Sequence, residues 1–171
     1  MITRRARTLR LCLGLLVAAA ASVALPRTAS AQTLFENLAY ASKCMDNAGG
    51  NLSDGNPLVS YACQNSVNQY FQRLSDGHVV VQKGQIGPRG YQMCMDYYPT
   101  SGAIGDPVRI WPCHPISSPA DTQHWYYLSS GQWLGASGNC VAATSSTNAT
   151  QLRMAACNTS NPPLNTRWKV R

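Results

Sequence analysis

The chain has 171 residues, 12% of them charged, and a formal net charge of +7. Five arginines (Arg4, Arg5, Arg7, Arg10 and Arg27) and no acidic residue fall in the first 31 positions, so the remainder carries only +2. The basicity belongs to the N-terminal segment and gives no reason to expect nucleic acid or a membrane surface as partner.

That segment is the first predicted element. Arg4, Arg5, Arg7 and Arg10 form a positive stretch, residues 11–25 are rich in Leu, Ala and Val, and Ala29-Ser30-Ala31 is a small-residue cleavage site. The pattern predicts a secretory signal peptide over 1–31, too short and wrongly flanked for a membrane span. Thr3-Arg4-Arg5 has a twin-arginine look, but Arg7 and Thr8 stand where such signals are apolar, which favours the general secretory route. Cleavage after Ala31 leaves residues 32–171 outside the cytoplasm, extracellular or periplasmic, where disulfides persist. It also removes Cys12, so six cysteines remain. The mature length suits one domain with its own core.

Downstream, one pattern recurs three times. The first copy reads Cys44-Met45-Asp46, then Gly55-Asn56-Pro57-Leu58-Val59-Ser60-Tyr61-Ala62-Cys63, then Asn68-Gln69-Tyr70-Phe71. The second reads Cys94-Met95-Asp96, then Gly105-Asp106-Pro107-Val108-Arg109-Ile110-Trp111-Pro112-Cys113, then Thr122-Gln123-His124-Trp125. The third is worn: Cys140-Val141-Ala142, Leu152-Arg153-Met154-Ala155-Ala156-Cys157, Asn165-Thr166-Arg167-Trp168. The copies divide the chain near 33–82, 83–136 and 137–171. A period of this size marks one supersecondary unit that cannot bury its apolar face alone, so the copies must share a core. Leu58, Val108 and Leu152 hold one equivalent position, Ser60, Ile110 and Met154 a second, and Phe71, Trp125 and Trp168 a third. Six cysteines allow fifteen pairings; the repeat singles out Cys44–Cys63, Cys94–Cys113 and Cys140–Cys157, each inside one copy.

Within the copies the apolar runs are short and separated by turn residues. Leu58-Val59-Ser60-Tyr61, Val79-Val80-Val81, Val108-Arg109-Ile110-Trp111, His124-Trp125-Tyr126-Tyr127-Leu128 and Gln132-Trp133-Leu134 read as strands. Asp76-Gly77, Ser130-Gly131 and Ser137-Gly138-Asn139 read as hairpin turns. Residues 47–56 and 99–107, rich in Gly, Asn and Pro, read as surface loops. No long amphipathic helix is evident. The expected class is all-β, closed so that no sheet edge is left open.

These elements resemble the ricin B-type lectin domain, from about Thr33 to Arg171. The resemblance rests on the Cys-x-Asp starts, the Gly-Asn/Asp…aromatic-x-Cys middles, and the Gln-x-aromatic ends Gln69-Tyr70-Phe71 and Gln123-His124-Trp125. It implies a β-trefoil of three repeats that binds glycans or glycoconjugates, galactose-type sugars above all. In the first copy it implies Asp46 as hydroxyl acceptor, Tyr61 as stacking platform, Asn68 as orienting amide and Gln69 as a brace behind them. In the second it implies Asp96, Trp111 and Gln123 in the same parts, with Thr122 where the family has Asn and Asp121 beside it as a substitute. The chemistry suits the residue types. A carboxylate accepts from two vicinal hydroxyls, and an aromatic face takes the C–H patch of a pyranose at low entropic cost. Ala142 and Ala155 replace the Asp and aromatic in the third copy, which leaves Asn165 alone and makes that copy structural.

Plainer readings compete. An Asp after a strand start can be a turn cap bonding its own backbone, and Trp111 can pack on its disulfide. The sequence points to no enzyme, cofactor or metal: His78, His114 and His124 lack ligand spacing, and no free thiol, P-loop or nucleophile elbow is present. Met45, Met93, Met95 and Met154 read as core fillers. Asn51, Asn148 and Asn158 head N-glycosylation sequons. Another reading is a protein-interaction or toxin-targeting subunit that needs a separate catalytic or toxin partner; an inhibitor on a trefoil scaffold ranks below it.

Overall fold

The computed structural model describes residues 32–82 and 84–171; the expected leader lies outside the described residues. Among the described residues, thirteen strands are joined by turns and three short 3-10 segments, Ala48–Gly50, Val67–Gln69 and Leu164–Thr166. In chain order the strands are β1 Phe35–Asn37, β2 Lys43–Asn47, β3 Leu58–Ala62, β4 Phe71–Arg73, β5 Val79–Val81, β6 Met93–Asp96, β7 Arg109–Pro112, β8 Trp125–Tyr127, β9 Trp133–Gly135, β10 Asn139–Ala142, β11 Thr150–Gln151, β12 Arg153–Ala156 and β13 Trp168–Val170. Every apolar run read as a strand supplies one. The three turn segments close tight connections, as in Gly77 N–H to Leu74 O at 3.2 Å and Gly131 N–H to Leu128 O at 2.8 Å.

The strands form three sheets, ordered β11-β3-β2-β1-β13, β4-β5-β6-β7 and β12-β10-β9-β8. In the second and third, a hairpin extends the hairpin that follows it, β4–β5 onto β6–β7 and β8–β9 onto β10–β12. In the first sheet the extension comes from the far end: β13 pairs with β1, Phe35 opposite Val170 and Asn37 opposite Trp168. The C-terminal strand thus closes the structure on its N-terminal strand and covers an edge that would otherwise be open.

At the centre the three equivalent apolar positions meet through their backbones. Leu58 N–H donates to Val108 O (3.1 Å), Val108 N–H to Leu152 O (2.9 Å) and Leu152 N–H to Leu58 O (2.9 Å), a closed cycle about the pseudo-threefold axis. All three side chains are fully buried, as are Ile110 and Met154 beside them. Ser60, the polar member of that set, is buried too and spends its hydroxyl on Ser145 O (3.4 Å). Phe71, Trp125 and Trp168 form the next layer, with Met45, Met93 and Met95 filling gaps. The indoles of Trp125 and Trp168 donate to Met95 O (2.9 Å) and Val141 O (3.0 Å).

All three intra-copy disulfides form, with Cα–Cα distances of 5.0, 5.0 and 4.9 Å. Replacing Cys94 and Cys113 together by Ala is expected to cost about 3 kcal/mol, a fall in Tm of about 10 °C, since the bridge closes a loop of roughly 20 residues. Calorimetry on the variant checks this.

The reading of 47–56 as surface loop needs correction at its start. Asn47 is wholly buried at the end of β2; its amide donates to Asn51 O (2.8 Å) and its oxygen accepts from Asn56 Nδ2 (2.7 Å). These asparagines brace the loop from inside. Residues 99–107 are mostly exposed, but Gly102 (φ +74°) is pressed so close to Ser137 that a Cβ would lie 2.6 Å from its Oγ.

Candidate functional site

Antiparallel register explains why an Asp and an aromatic far apart in sequence come together. On the β2–β3 hairpin Asp46 lies opposite Val59, and on β6–β7 Asp96 lies opposite Arg109. Tyr61 and Trp111 stand two residues further along, on the same face and diagonal to the carboxylate. The disulfides Cys44–Cys63 and Cys94–Cys113 pin both hairpins just beyond.

In the first site Gln69, fully buried, holds Asp46 from behind. Its Nε2 donates to Asp46 Oδ2 (2.8 Å) and to Ala62 O (2.8 Å), while its Oε1 accepts from Gln64 N–H (2.9 Å). The amide is thereby saturated and faces the protein. Asp46, Tyr61 and Asn68 line a cleft of about 220 Å³ with Gly49 and Gln64, bounded by Ala149 from a later part of the chain. Burial pushes the Asp46 carboxyl above the ordinary Asp value, against opposing hydrogen bonds from Gln69 and Asn68.

The second site repeats the brace. Gln123 Nε2 donates to Asp96 Oδ2 (2.9 Å) and Pro112 O (3.0 Å), and its Oε1 accepts from His114 N–H (3.2 Å). Asp96 differs from Asp46 in that its Oδ1 also accepts Tyr98 N–H at 2.7 Å. The plain turn-cap reading thus describes one oxygen of Asp96. Trp111 is fixed by Nε1 donating to Tyr98 O (2.8 Å) and by an edge contact to the Tyr98 ring at 5.1 Å. The cleft, about 470 Å³, is lined by Asp96, Trp111, Tyr91, Tyr98, His114 and Pro115, among others.

Two residues expected here stand elsewhere. Thr122 is half-buried and does not line the cleft. Asp121 does not take its place: its carboxylate accepts from Gln123 N–H (3.0 Å) and lies 3.7 Å from His114 Nδ1, organising the 118–124 turn. Sequence reasoning missed Tyr91, Tyr98 and His114, which come from loops whose counterparts in the first copy have other residues. In the third copy Ala142 and Ala155 offer neither carboxylate nor ring, and Thr166 stands where Gln69 and Gln123 are. Its Oγ1 accepts from Gln132 Nε2 at 2.9 Å.

His78 was also missed. Buried on the β4–β5 turn, it places Nδ1 3.0 Å from Asp76 Oδ2 and Nε2 2.8 Å from His114 O. His78 therefore ties the hairpin to His114, which in turn holds Gln123. His78→Ala is expected to cost about 1–3 kcal/mol of stability and to weaken ligand binding in the second cleft several-fold while sparing the first. Thermal unfolding and binding titrations check both arms.

A model of the ricin-type beta-trefoil lectin domain matches residues 31–170. No curated protein gives a significant sequence match. Among solved structures, the chain is similar to an agglutinin from Abrus precatorius (21% identity, TM-score 0.65), covering 82% of this chain and 48% of that one. It is similar to a non-toxic homologue of type II RIPs from Momordica charantia, solved in complex with α-methyl-D-galactoside (21%, TM-score 0.64, 82% and 48% covered). It is also similar to the C-half of an earthworm R-type lectin solved with GalNAc (12%, TM-score 0.60, 81% and 96% covered). The chain spans about half the length of the first two. No helix among the described residues is long and apolar enough to cross a membrane.

Proposed function

The chain belongs to the ricin-type β-trefoil lectin family, and we propose that it acts as a secreted sugar-binding module with galactose-type pyranoses in the clefts at Asp46 and Asp96. One observation carries this reading: a carboxylate braced by a buried glutamine, with an aromatic ring diagonal to it, is built twice on the same register. The third copy keeps the disulfide and the core residues but has neither carboxylate nor ring. Scaffold duties would be expected to survive in every copy.

In each cleft the carboxylate oxygens would accept from two vicinal hydroxyls. The face of Tyr61 or Trp111 would take the C–H side of the ring. Asn68 would supply a donor and an acceptor at the first cleft; the second has no amide in that place, and Tyr98 and His114 are the polar groups nearby. Asn68 is thus assigned the orienting part in the first cleft, and Gln69 and Gln123 the bracing parts behind Asp46 and Asp96. A site with so few contacts binds weakly, and two on one rigid body gain avidity on a glycan-bearing surface. Three disulfides and the expected leader support an extracellular or periplasmic setting.

Tryptophan fluorescence tests the reading. Trp125, Trp133 and Trp168 are at most 3% exposed, so Trp111 should dominate any change in emission. Millimolar galactose or N-acetylgalactosamine is expected to shift it, and Asp46→Ala combined with Asp96→Ala to abolish glycan-array binding. No response to any sugar of a broad panel would overturn the proposal.

A further inference from the structure

A third cleft, about 330 Å³, lies between the β4–β5 turn and β8, lined by Arg73, Ser75, Gly77, His124, Tyr126 and Tyr127 among others. Its chemistry is the reverse of the other two, with a guanidinium and an imidazole and no carboxylate. Arg73 is exposed and lies 5.0 Å over the Tyr127 ring and 5.6 Å from that of Trp133. It forms no ion pair among the described residues. A guanidinium backed by rings has one face dry while its N–H edges stay free for an oxyanion in its plane.

The imidazole is set in place by shape. The ring of His124 sits under Gly77, where a Cβ would lie 2.2 Å from its Cδ2, so only glycine (φ +100°) lets the turn close on it. Its other neighbour is the Tyr126 ring, at 4.6 Å, whose residue is 46% exposed. The equivalent side chains in the other copies are spent internally: Tyr70 OH donates to Asn65 Oδ1 (3.0 Å) and Arg167 Nε to Ser130 O (2.9 Å). Among the described residues His124 makes no such bond, and its Nδ1 is buried without a partner. The acid nearest Arg73 in sequence, Asp76, is engaged by His78 at 3.0 Å, and the one nearest His124, Asp121, accepts from Gln123 N–H (3.0 Å) and faces His114 Nδ1 (3.7 Å).

From this arrangement we infer that the cleft is a further binding site, for a sugar unit bearing an oxyanion, with Arg73 gripping the carboxylate or sulfate. Ser75 and Tyr126 supply hydroxyls to the ring substituents, and Tyr126 offers its exposed face to the C–H side. The site is separate from the clefts at Asp46 and Asp96, and it stands or falls without them. Gln123 braces Asp96 while His124, the next residue, turns to this third cleft.

The test is an NMR titration of the full mature chain with glucuronic acid, glucose 6-sulfate and glucose. Both anionic sugars are expected to move the amides of Ser75, Gly77, His124 and Tyr126, with affinity falling as salt rises, and glucose is not. A response to only one anionic sugar assigns the oxyanion as carboxylate or as sulfate. Arg73→Gln should weaken binding at least tenfold, Arg73→Lys less, and Tyr126→Ser several-fold. Asp46→Ala with Asp96→Ala should leave it unchanged. Equal binding of glucose, an unaltered affinity in Arg73→Gln, loss in the double Asp variant, or no binding of either anionic sugar at millimolar concentration would each overturn the inference. Should Arg73→Gln misfold, the Arg73→Lys and Tyr126→Ser variants decide.

Discussion

Asp46→Asn is expected to weaken sugar binding in the first cleft about 10- to 100-fold, the gap between charge-assisted and neutral hydrogen bonds, while raising thermal stability at neutral pH. The two effects have one cause. Asp46 is 3% exposed, and burial lifts its carboxyl above the ordinary Asp value despite hydrogen bonds from Gln69 and Asn68. A carboxyl whose value is higher folded than unfolded favours the folded state in acid. That contribution is complete below the unfolded value of about 3.9 and is lost as pH rises through the folded one. At pH 7 the native chain carries an ionised group in a site that disfavours it; asparagine keeps an acceptor for Gln69 without the charge. The stability gain should therefore shrink as pH falls toward about 3.5, where Asp46 is neutral too. Melting curves at both pH values and a sugar titration measure it. A variant less stable at pH 7 with unchanged affinity would make Asp46 a structural cap. Asp96→Asn is a contrast, because one Asp96 oxygen already holds Tyr98 N–H and its removal of charge weakens that turn.

How far the sequence reads the structure depends on whether a feature repeats. Equivalent positions fixed the core because a threefold axis forces Leu58, Val108 and Leu152 to meet, and the same arithmetic paired the cysteines. The Asp and aromatic were legible because a constant strand register turns a constant spacing into one geometry. What did not repeat was hidden. Tyr98 and His114 enter the second cleft from loops of individual sequence, and His78 reaches His114 across 36 positions. Thr122 matches Asn68 in the repeat but is not among the residues that line the cleft, since such a match does not record the course of the 118–124 turn. Asn47 sits in a Gly/Asn-rich stretch, and composition cannot tell an internal brace from a solvated loop. The pairing of β1 with β13 was likewise invisible, since it joins the first and last strands of the described residues.

That pairing makes Trp168 the residue whose loss should cost most. It is fully buried, donates Nε1–H to Val141 O (3.0 Å), and is held through its backbone by Gly131 O (2.7 Å). Its carbonyl takes the Tyr127 hydroxyl (2.6 Å), and as part of β13 it lies opposite Asn37 on the strand that closes the fold. Trp168→Ala removes a large core side chain, about 3–5 kcal/mol, and strands the Val141 carbonyl, about 1–3 kcal/mol more. A domain of this size has roughly 5–15 kcal/mol in total, so the variant should sit near the edge of folding. Trp168→Phe separates the two terms. Phe71 already fills the equivalent place in the first copy, so phenylalanine fits, and only the lost donor and part of the volume should register, about 1–2 kcal/mol. Urea titrations of the three proteins measure the series, and the shape of the transition carries a second result. If each copy were its own folding unit, Trp168→Ala would melt one part early and split the curve. The closed cycle of Leu58, Val108 and Leu152 instead makes every copy lean on the other two, so a single transition shifted to lower urea is expected. A loss under about 1 kcal/mol, far below the usual cost of emptying a core tryptophan site, would mean that β13 does not close the fold.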